Sequence, residues 1–593
     1  MNAGEGLASS DRDKLLGGPG QDGTHSFPAQ VNLHSREGDL SKDMSKKALR
    51  GGMLATPWYC RSTTLLLAAL LLGGLAVLYF GNSSERQLSL GLDKDRATTY
   101  NVKILPSSLS DKELDALPAE SFSYLAMIDA GSSGCRAHIY RYGKLGSIDG
   151  ALYVLPQHIS IKVKPGLSSF AATPDKAGAS LADLVAFVKE KVPEKDWAVT
   201  PIWLKATAGL RMLQEEQSAS VLQSVRAFLG DKASSPFIFK QAWAGIISGN
   251  EEGGFGWIAF NYLKKIIGPK KKTGLEAQLP YAVIEMGGAS AQVSQIAPTA
   301  KDAAELPEEN KFSFTIEGEA FTLYTHSYLG YGAEQAREGL NKLLLRNLTV
   351  EGSSGQRALQ HGSDTSLVHT SRRQTSANAT KSQSKQARVR DTCLYEGYSR
   401  TDAQPKEAYE GPKGKYSVVG SAQHPGSCSA SLAHLFSPHG KTKSCAKARG
   451  PYSFNCVHQP AFVSDSPNFL VFENFFYLSS AVGVKTFKGE ATSFPLLTTP
   501  AQFQSAANEL CSQPWSEVQA KYPLDSQGKD VDTKLCFMAS YASVFLTRGL
   551  GVRADKVVTV QKDVDGSEIE WALGAAYKEA ADFLKRTNLR GQN

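Results

Sequence analysis

The chain begins with a polar stretch. Residues 1–62 are rich in Gly, Ser, Asp and Lys and are predicted to be a disordered tail. An uncharged apolar run at 63–80 follows and is long enough to cross a bilayer. It starts too late to be a signal peptide. Lys42, Lys46, Lys47, Arg50 and Arg61 precede it, so the tail is expected in the cytosol and the rest in a lumen, a single-pass type II anchor. Residues 81–120 read as a lumenal stem. Beyond them the pattern alternates between strand and helix. Apolar strands are predicted at 124–128, 201–206, 237–242, 281–285 and 320–328. Helical spacing occurs at 181–192 (Leu181, Leu184, Val185, Val188), 217–229, 332–345, 501–522 and 533–550, and Glu570 opens a last helix. This alternation predicts α/β architecture. Residues 350–390 carry few large apolar side chains and read as a flexible insertion.

Two of the predicted strands share a design. The first runs through Ile128 into Asp129 and then Gly131, Ser132, Ser133 and Gly134. The second ends in Glu285, followed by Gly287, Gly288, Ala289 and Ser290. Glycines permit positive φ and close approach of a ligand. Successive N–H groups in such a turn form an anion nest, and a carboxylate beside it can hold a divalent cation. One such turn is an ordinary β-turn. Two copies about 155 residues apart predict two similar lobes with a cleft between them, here bounded as 121–283 and 284–593.

A third motif places Glu251 and Glu252 where a glycine-rich loop becomes a helix. As a first helical turn the pair suits the helix dipole, and a carboxylate so placed can act as a general base on water. The aromatic stretch 468–477 reads mostly as core, with one exposed ring able to stack on a nucleobase.

Composition narrows the class. The 593 residues are 41% apolar and 21% charged, which fits a multi-domain chain with a sizeable core. The net charge of +7 is spread out, so nucleic-acid binding is not expected. Of the 8 cysteines, Cys393, Cys428, Cys445, Cys456, Cys511 and Cys536 lie in one region without a C-x-x-C pair. That pattern fits three disulfides and an oxidising compartment. Cys60 is expected as a free thiol at the cytosolic edge. Asn82, Asn347 and Asn378 open glycosylation sequons.

Taken together, the motifs resemble the apyrase family of nucleoside triphosphate diphosphohydrolases, which also holds the Golgi nucleoside diphosphatases. The resemblance spans roughly residues 122–585 and rests on motifs in the family's order. They are Ile128-Asp-Ala-Gly-Ser-Ser-Gly134, Lys205-Ala-Thr-Ala-Gly-Leu-Arg211, Gly249-Asn-Glu-Glu-Gly-Gly-Phe-Gly-Trp257, Glu285-Met-Gly-Gly-Ala-Ser-Ala-Gln292, the stretch 468–477 and Trp571-Ala-Leu-Gly574. The resemblance implies two RNase H-like lobes of the actin and hexokinase superfamily. It implies metal-dependent removal of the terminal phosphate from nucleoside di- or triphosphates of the UDP or GDP type, in the Golgi or endoplasmic reticulum lumen. Asp129 and Glu285 would hold Ca²⁺ or Mg²⁺. Ser132, Ser133, Gly134, Thr207, Gly287, Gly288, Ala289 and Ser290 would bind phosphate. Glu252 would be the general base, Ser290 and Gln292 would place the water, and Tyr477 would stack the base. The implied disulfides are Cys393–Cys428, Cys445–Cys456 and Cys511–Cys536. Three positions depart from the family's pattern. Glu285 stands where Asp is usual, Cys135 where Ser or Thr is common, and Leu535 where cell-surface members carry a second stacking Tyr. The alternative reading is a catalytically impaired nucleotide-binding membrane protein. Base preference and oligomeric state stay open.

Overall fold

The structure, a computed structural model, describes residues 85–90, 98–156, 159–353, 387–402, 416–422, 424–436, 457–521 and 534–590. The tail, the run at 63–80, Cys60, the sequons at Asn82 and Asn378, the Cys445–Cys456 pair and most of the 350–390 insertion lie outside the described residues, as does the side chain of Asn347. Among the described residues no helix is long and apolar enough to cross a membrane.

The first sheet holds β1 (Glu85–Leu90), β2 (Thr98–Leu105), β3 (Ser123–Ala130), β4 (Cys135–Leu145), β5 (Leu152–Leu155), β6 (Ser160–Val163), β7 (Ile202–Ala206) and β8 (Ala244–Ile246). Its order is β1-β2-β4-β3-β7-β8, with β5 and β6 also paired to β4. The second sheet contains β9 (Ala282–Met286), β10 (Ser290–Ile296), β11 (Lys311–Ile316) and β12 (Glu319–Leu329). A small separate sheet of β13 (Ala387–Asp391), β14 (Ser399–Asp402) and β15 (Tyr416–Gly420) intervenes. The second sheet is completed by β16 (Phe469–Glu473), β17 (Leu496–Thr498) and β18 (Val558–Val560), in the order β11-β12-β10-β9-β16-β18-β17.

Both sheets repeat one topology. β3 and β4 form an antiparallel hairpin, and β3 runs parallel to β7, which runs parallel to β8. In the same way β9 and β10 form a hairpin, and β9 runs parallel to β16, which runs parallel to β18.

The helices that matter for the site are α1 (Ala182–Lys191), α2 (Ala208–Arg211), α3 (Glu215–Gly230), α4 (Gly249–Leu263), α5 (Ala333–Ser353), α6 (Asn474–Val482) and α7 (Trp571–Arg590). Helices α1 and α3 cover one face of the first sheet, against Tyr124, Ala126, Ile128 and Leu204. Its other face shares a core with α4 and α7. Helix α7 packs on β3 and β4, whereas α4 packs on β9, β10 and β12, and the two helices pack on each other. The sheets therefore share a middle layer built from both halves of the chain.

Most predicted elements form, with shifts of a few residues at their ends. The expected helix at 501–522 is interrupted at 512–514 and forms two, Pro500–Cys511 and Trp515–Lys521. Two further expectations change. Only Ile238 of the predicted 237–242 strand bridges to a neighbour, at Pro201. Residues Gln241–Trp243 coil as a 3₁₀ turn, which brings Trp243 to 4.7 Å from Trp203, and strand β8 starts after it. Residues 98–120, expected within a stem, instead join the first sheet, where β2 pairs with β4 and Val102, Leu105 and Leu114 are buried. Burying these apolar side chains stabilises the lobe.

Cys393–Cys428 and Cys511–Cys536 are bonded as the resemblance implied. Cys135 is a free, buried thiol, and burial pushes it up to about 12, so it stays protonated.

Candidate active site

Strand alternation decides where the two carboxylates point. On β3, Leu125 and Met127 face the shared middle layer, and Asp129 follows on that side. On β9, Val283 faces the same layer while Ile284 and Met286 face away, so Glu285 also points inward. Asp129 and Glu285 line one cavity of about 140 Å³, together with the turns 131–134 and 287–289, Thr207, Ser290 and Glu252.

Each turn is braced from behind. Carbonyls of the second turn accept N–H groups from the start of α5: Gly287 O from Ala333 at 2.9 Å, and Gly288 O from Glu334 at 2.9 Å. Gly332 lies so close that a Cβ would sit 2.5 Å from Gly288 C and Ser290 N. Behind the first turn, a Cβ on Gly209 of α2 would meet Ser132 Cα at 2.8 Å. The N–H groups of Ser132, Ser133, Gly288 and Ala289 find no acceptor among the described residues. They remain available to an anion in the cavity. The turns depart from expectation in one respect. None of Gly131, Gly134, Gly287 and Gly288 adopts a positive φ. Space excludes a side chain instead, most clearly at Gly134, where a Cβ would lie 2.6 Å from Val163 O.

The glutamate pair divides its work. Glu251 closes a capping box on α4: its Oε2 accepts from Ser248 N at 2.8 Å, while Glu251 N donates to Ser248 Oγ. Glu252 is buried and faces the cavity. Arg211 Nη2 donates to its Oε2 at 2.5 Å, and Arg211 Nη1 is anchored on Ile247 O at 3.2 Å. Burial raises the Glu252 carboxyl above the usual range, and Arg211 opposes that rise. Gln292 Nε2 donates to Ser290 Oγ at 2.8 Å and to Ser327 Oγ at 3.1 Å, which fixes Ser290 beside Arg211. Gln292 lies one layer behind the cavity, so its effect passes through Ser290 and Glu252.

Asp129 Oδ1 and Glu285 Oε2 are buried without a hydrogen-bond partner. Burial pushes Asp129 up to about 7. Burial and the Glu252 charge push Glu285 well above its usual range. Two orphaned carboxylate oxygens beside free N–H donors fit a hard divalent cation with an anion. No cluster of three His, Cys, Asp or Glu side chains able to hold a metal occurs among the described residues. Asp129 and Glu285 are thus the side chains that would hold such a cation.

A second cavity of about 270 Å³ adjoins the first and shares Arg136, Lys162, Glu473 and Glu570 with it. Tyr477 lines it and is 52% exposed, so its ring is free to stack. Leu535 is buried in the second lobe's core and offers no opposing ring.

Sequence reasoning assigned no role to Arg136, Lys162, Glu473 or Glu570, and quoted Arg211 only as the end of a motif. Arg136 lies opposite Asp129 in the β3–β4 register. Its Nη1 pairs with Glu570 Oε1 at 2.6 Å, and Glu570 Oε2 lies 2.8 Å from His138 Nδ1. Against the effect of burial, His138 and Arg136 hold Glu570 down at about 2. The available signal was register: a residue opposite a buried carboxylate needs a compatible charge.

Known proteins resemble this chain in sequence and in fold. The chain is 30% identical over 468 residues to a guanosine-diphosphatase of Schizosaccharomyces pombe, covering 76% of this chain and 73% of that protein. It is 28% identical to probable apyrase 6 of Arabidopsis thaliana, covering 78% and 73%. A solved nucleoside triphosphate hydrolase from Neospora caninum superposes with a TM-score of 0.53 at 13% identity, over 90% of this chain and 98% of that one. The likeness shows the fold, and it is of the expected kind: two α/β lobes of repeated topology with the cavity between them. Residues 116–592 match the GDA1/CD39 (nucleoside phosphatase) family, and the chain is a member of that enzyme family.

Proposed function

We propose that this enzyme removes the terminal phosphate of nucleoside diphosphates of the UDP or GDP type, and of triphosphates too, in the lumen of the secretory pathway. One observation carries the reading: Glu252, Asp129 and Glu285 meet two turns with free N–H donors in a single cavity. The relatives named guanosine-diphosphatase and apyrase support the nucleotide class.

In this reading the two turns and Thr207 grip the terminal phosphate from both sides. Asp129 and Glu285 would hold Ca²⁺ or Mg²⁺, which when bound would offset charge on the phosphate oxygens. Ser290, fixed by Gln292, orients water for in-line attack. Glu252 takes a proton from that water as the new P–O bond forms and the anhydride P–O bond breaks. The nucleoside phosphate leaves as an anion, and no phosphoenzyme forms. Arg211 is a positioning residue that aims Glu252 and opposes the rise that burial imposes on its carboxyl. Tyr477 stacks the base.

The lumenal assignment rests on the apolar run at 63–80 with basic residues before it, and on two disulfides in the folded part. A tagged chain should colocalise with Golgi or endoplasmic reticulum markers, and display at the plasma membrane would contradict that assignment. Activity is tested by phosphate release from UDP, GDP, ADP, ATP and UTP with Ca²⁺, Mg²⁺ or EDTA. Release that EDTA abolishes is expected. Equal release in EDTA would remove the metal from the account.

A further inference from the structure

Glu473 belongs to the aromatic motif but has no role in the chemistry above. It ends β16 and is the N-cap residue of α6. Along β16, Phe469 and Val471 enter one core, and Leu470 and Phe472 enter the other. Simple alternation would send Glu473 into the core beside Phe469 and Val471. The backbone avoids this by turning at φ 57°, ψ −118°. A side-chain-bearing residue rarely holds such a conformation, because it is strained. Asn474 Nδ2 donates to Met286 O at 2.8 Å and pins the turn to the strand that carries Glu285.

The turn places the Glu473 carboxylate where the two cavities meet, so that it lines both. It takes no hydrogen bond or ion pair among the described residues. It lines the second cavity together with Tyr477, which follows four residues later on α6. A nucleotide with its phosphates in the first cavity and its base on Tyr477 must carry its sugar past Glu473. A carboxylate only accepts hydrogen bonds. The phosphates of the substrate cannot donate, whereas the ribose 2′ and 3′ hydroxyls can.

We propose that Glu473 binds the ribose hydroxyls and makes the enzyme select ribonucleotides over deoxyribonucleotides. The inference rests on the nucleotide-hydrolase reading above. Its test compares kcat/KM for GDP and UDP with their 2′-deoxy and 3′-deoxy counterparts in wild type, Glu473→Gln and Glu473→Ala. Wild type should favour the ribonucleotide by about 10- to 100-fold, the range of a charge-assisted hydrogen bond. Glu473→Ala should bring the ratio to about twofold or less, and Glu473→Gln, whose amide oxygen still accepts, should fall between. Both substrates are measured on one preparation, so partial misfolding cancels in the ratio. An unchanged ratio in Glu473→Ala, or a wild-type ratio near one, overturns the assignment. A wild type that hydrolyses nothing overturns the hydrolase reading instead, and equilibrium binding of the same nucleotide pairs then decides the role of Glu473 by the same ratios.

Discussion

Glu251 and Glu252 are adjacent and chemically alike, yet one caps a helix and the other faces the cleft. The sequence showed both as candidates. The capping-box spacing from Ser248 to Glu251 was the clue that separates them, since a carboxylate used to cap cannot also serve as a base. Arg211 was harder to see, because its contact with Glu252 joins two elements 41 residues apart. A residue outside the site supplies a test of stability. Burial lowers His326 from 6.5 to about 4, and its Nδ1 lies 3.0 Å from Asn310 Nδ2. The fold therefore holds the neutral ring. The stability this contributes is complete above pH 6.5 and is lost as pH falls through 6.5 toward 4. Chemical denaturation should show a loss on the order of 2 kcal/mol over that window that His326→Gln lacks. Parallel pH profiles for the two proteins would contradict it.

At the scale of elements, the two hairpins were legible because a strand, a carboxylate and small residues in a row leave few other readings. Their mechanism was less legible. The glycines serve close packing, and the braces behind them, Gly209 and Gly332, belong to other segments. Gly332→Ala would press a methyl against the backbone of Gly288 and Ser290. A displacement of about 1 Å in a phosphate site costs on the order of a hundredfold in rate. The variant should lose kcat/KM by about that factor while keeping its far-ultraviolet circular dichroism. Wild-type activity in Gly332→Ala would show that the turn does not need this brace. The misplaced strand at 237–242 has a similar origin. Its apolar residues satisfied a strand pattern, but the 3₁₀ turn that packs Trp243 against Trp203 took its place.

At the scale of the molecule, the sequence predicted two lobes and a cleft, and the repeated topology of the sheets matches that expectation. What the pattern could not convey is the exchange of helices across the middle layer. Helix α4 packs on the second sheet and α7 on the first. Gly574 allows the two to touch, since a Cβ there would lie 2.0 Å from Phe255 O. Ties such as Arg136–Glu570 and Lys205–Glu579 span 434 and 374 residues, beyond the reach of any local pattern. They fix the cavity at the end of this layer, where Asp129, Glu285 and Glu252 converge. The central claim is that Glu252 there activates water against a terminal phosphate. The most direct measurement is steady-state phosphate release from GDP and UDP by Glu252→Gln and wild type, with nucleotide affinity determined on the same preparations. The account predicts a loss in kcat of about 10²- to 10⁴-fold with affinity changed by no more than a few-fold. A Glu252→Gln enzyme that turns over within a few-fold of wild type would contradict it.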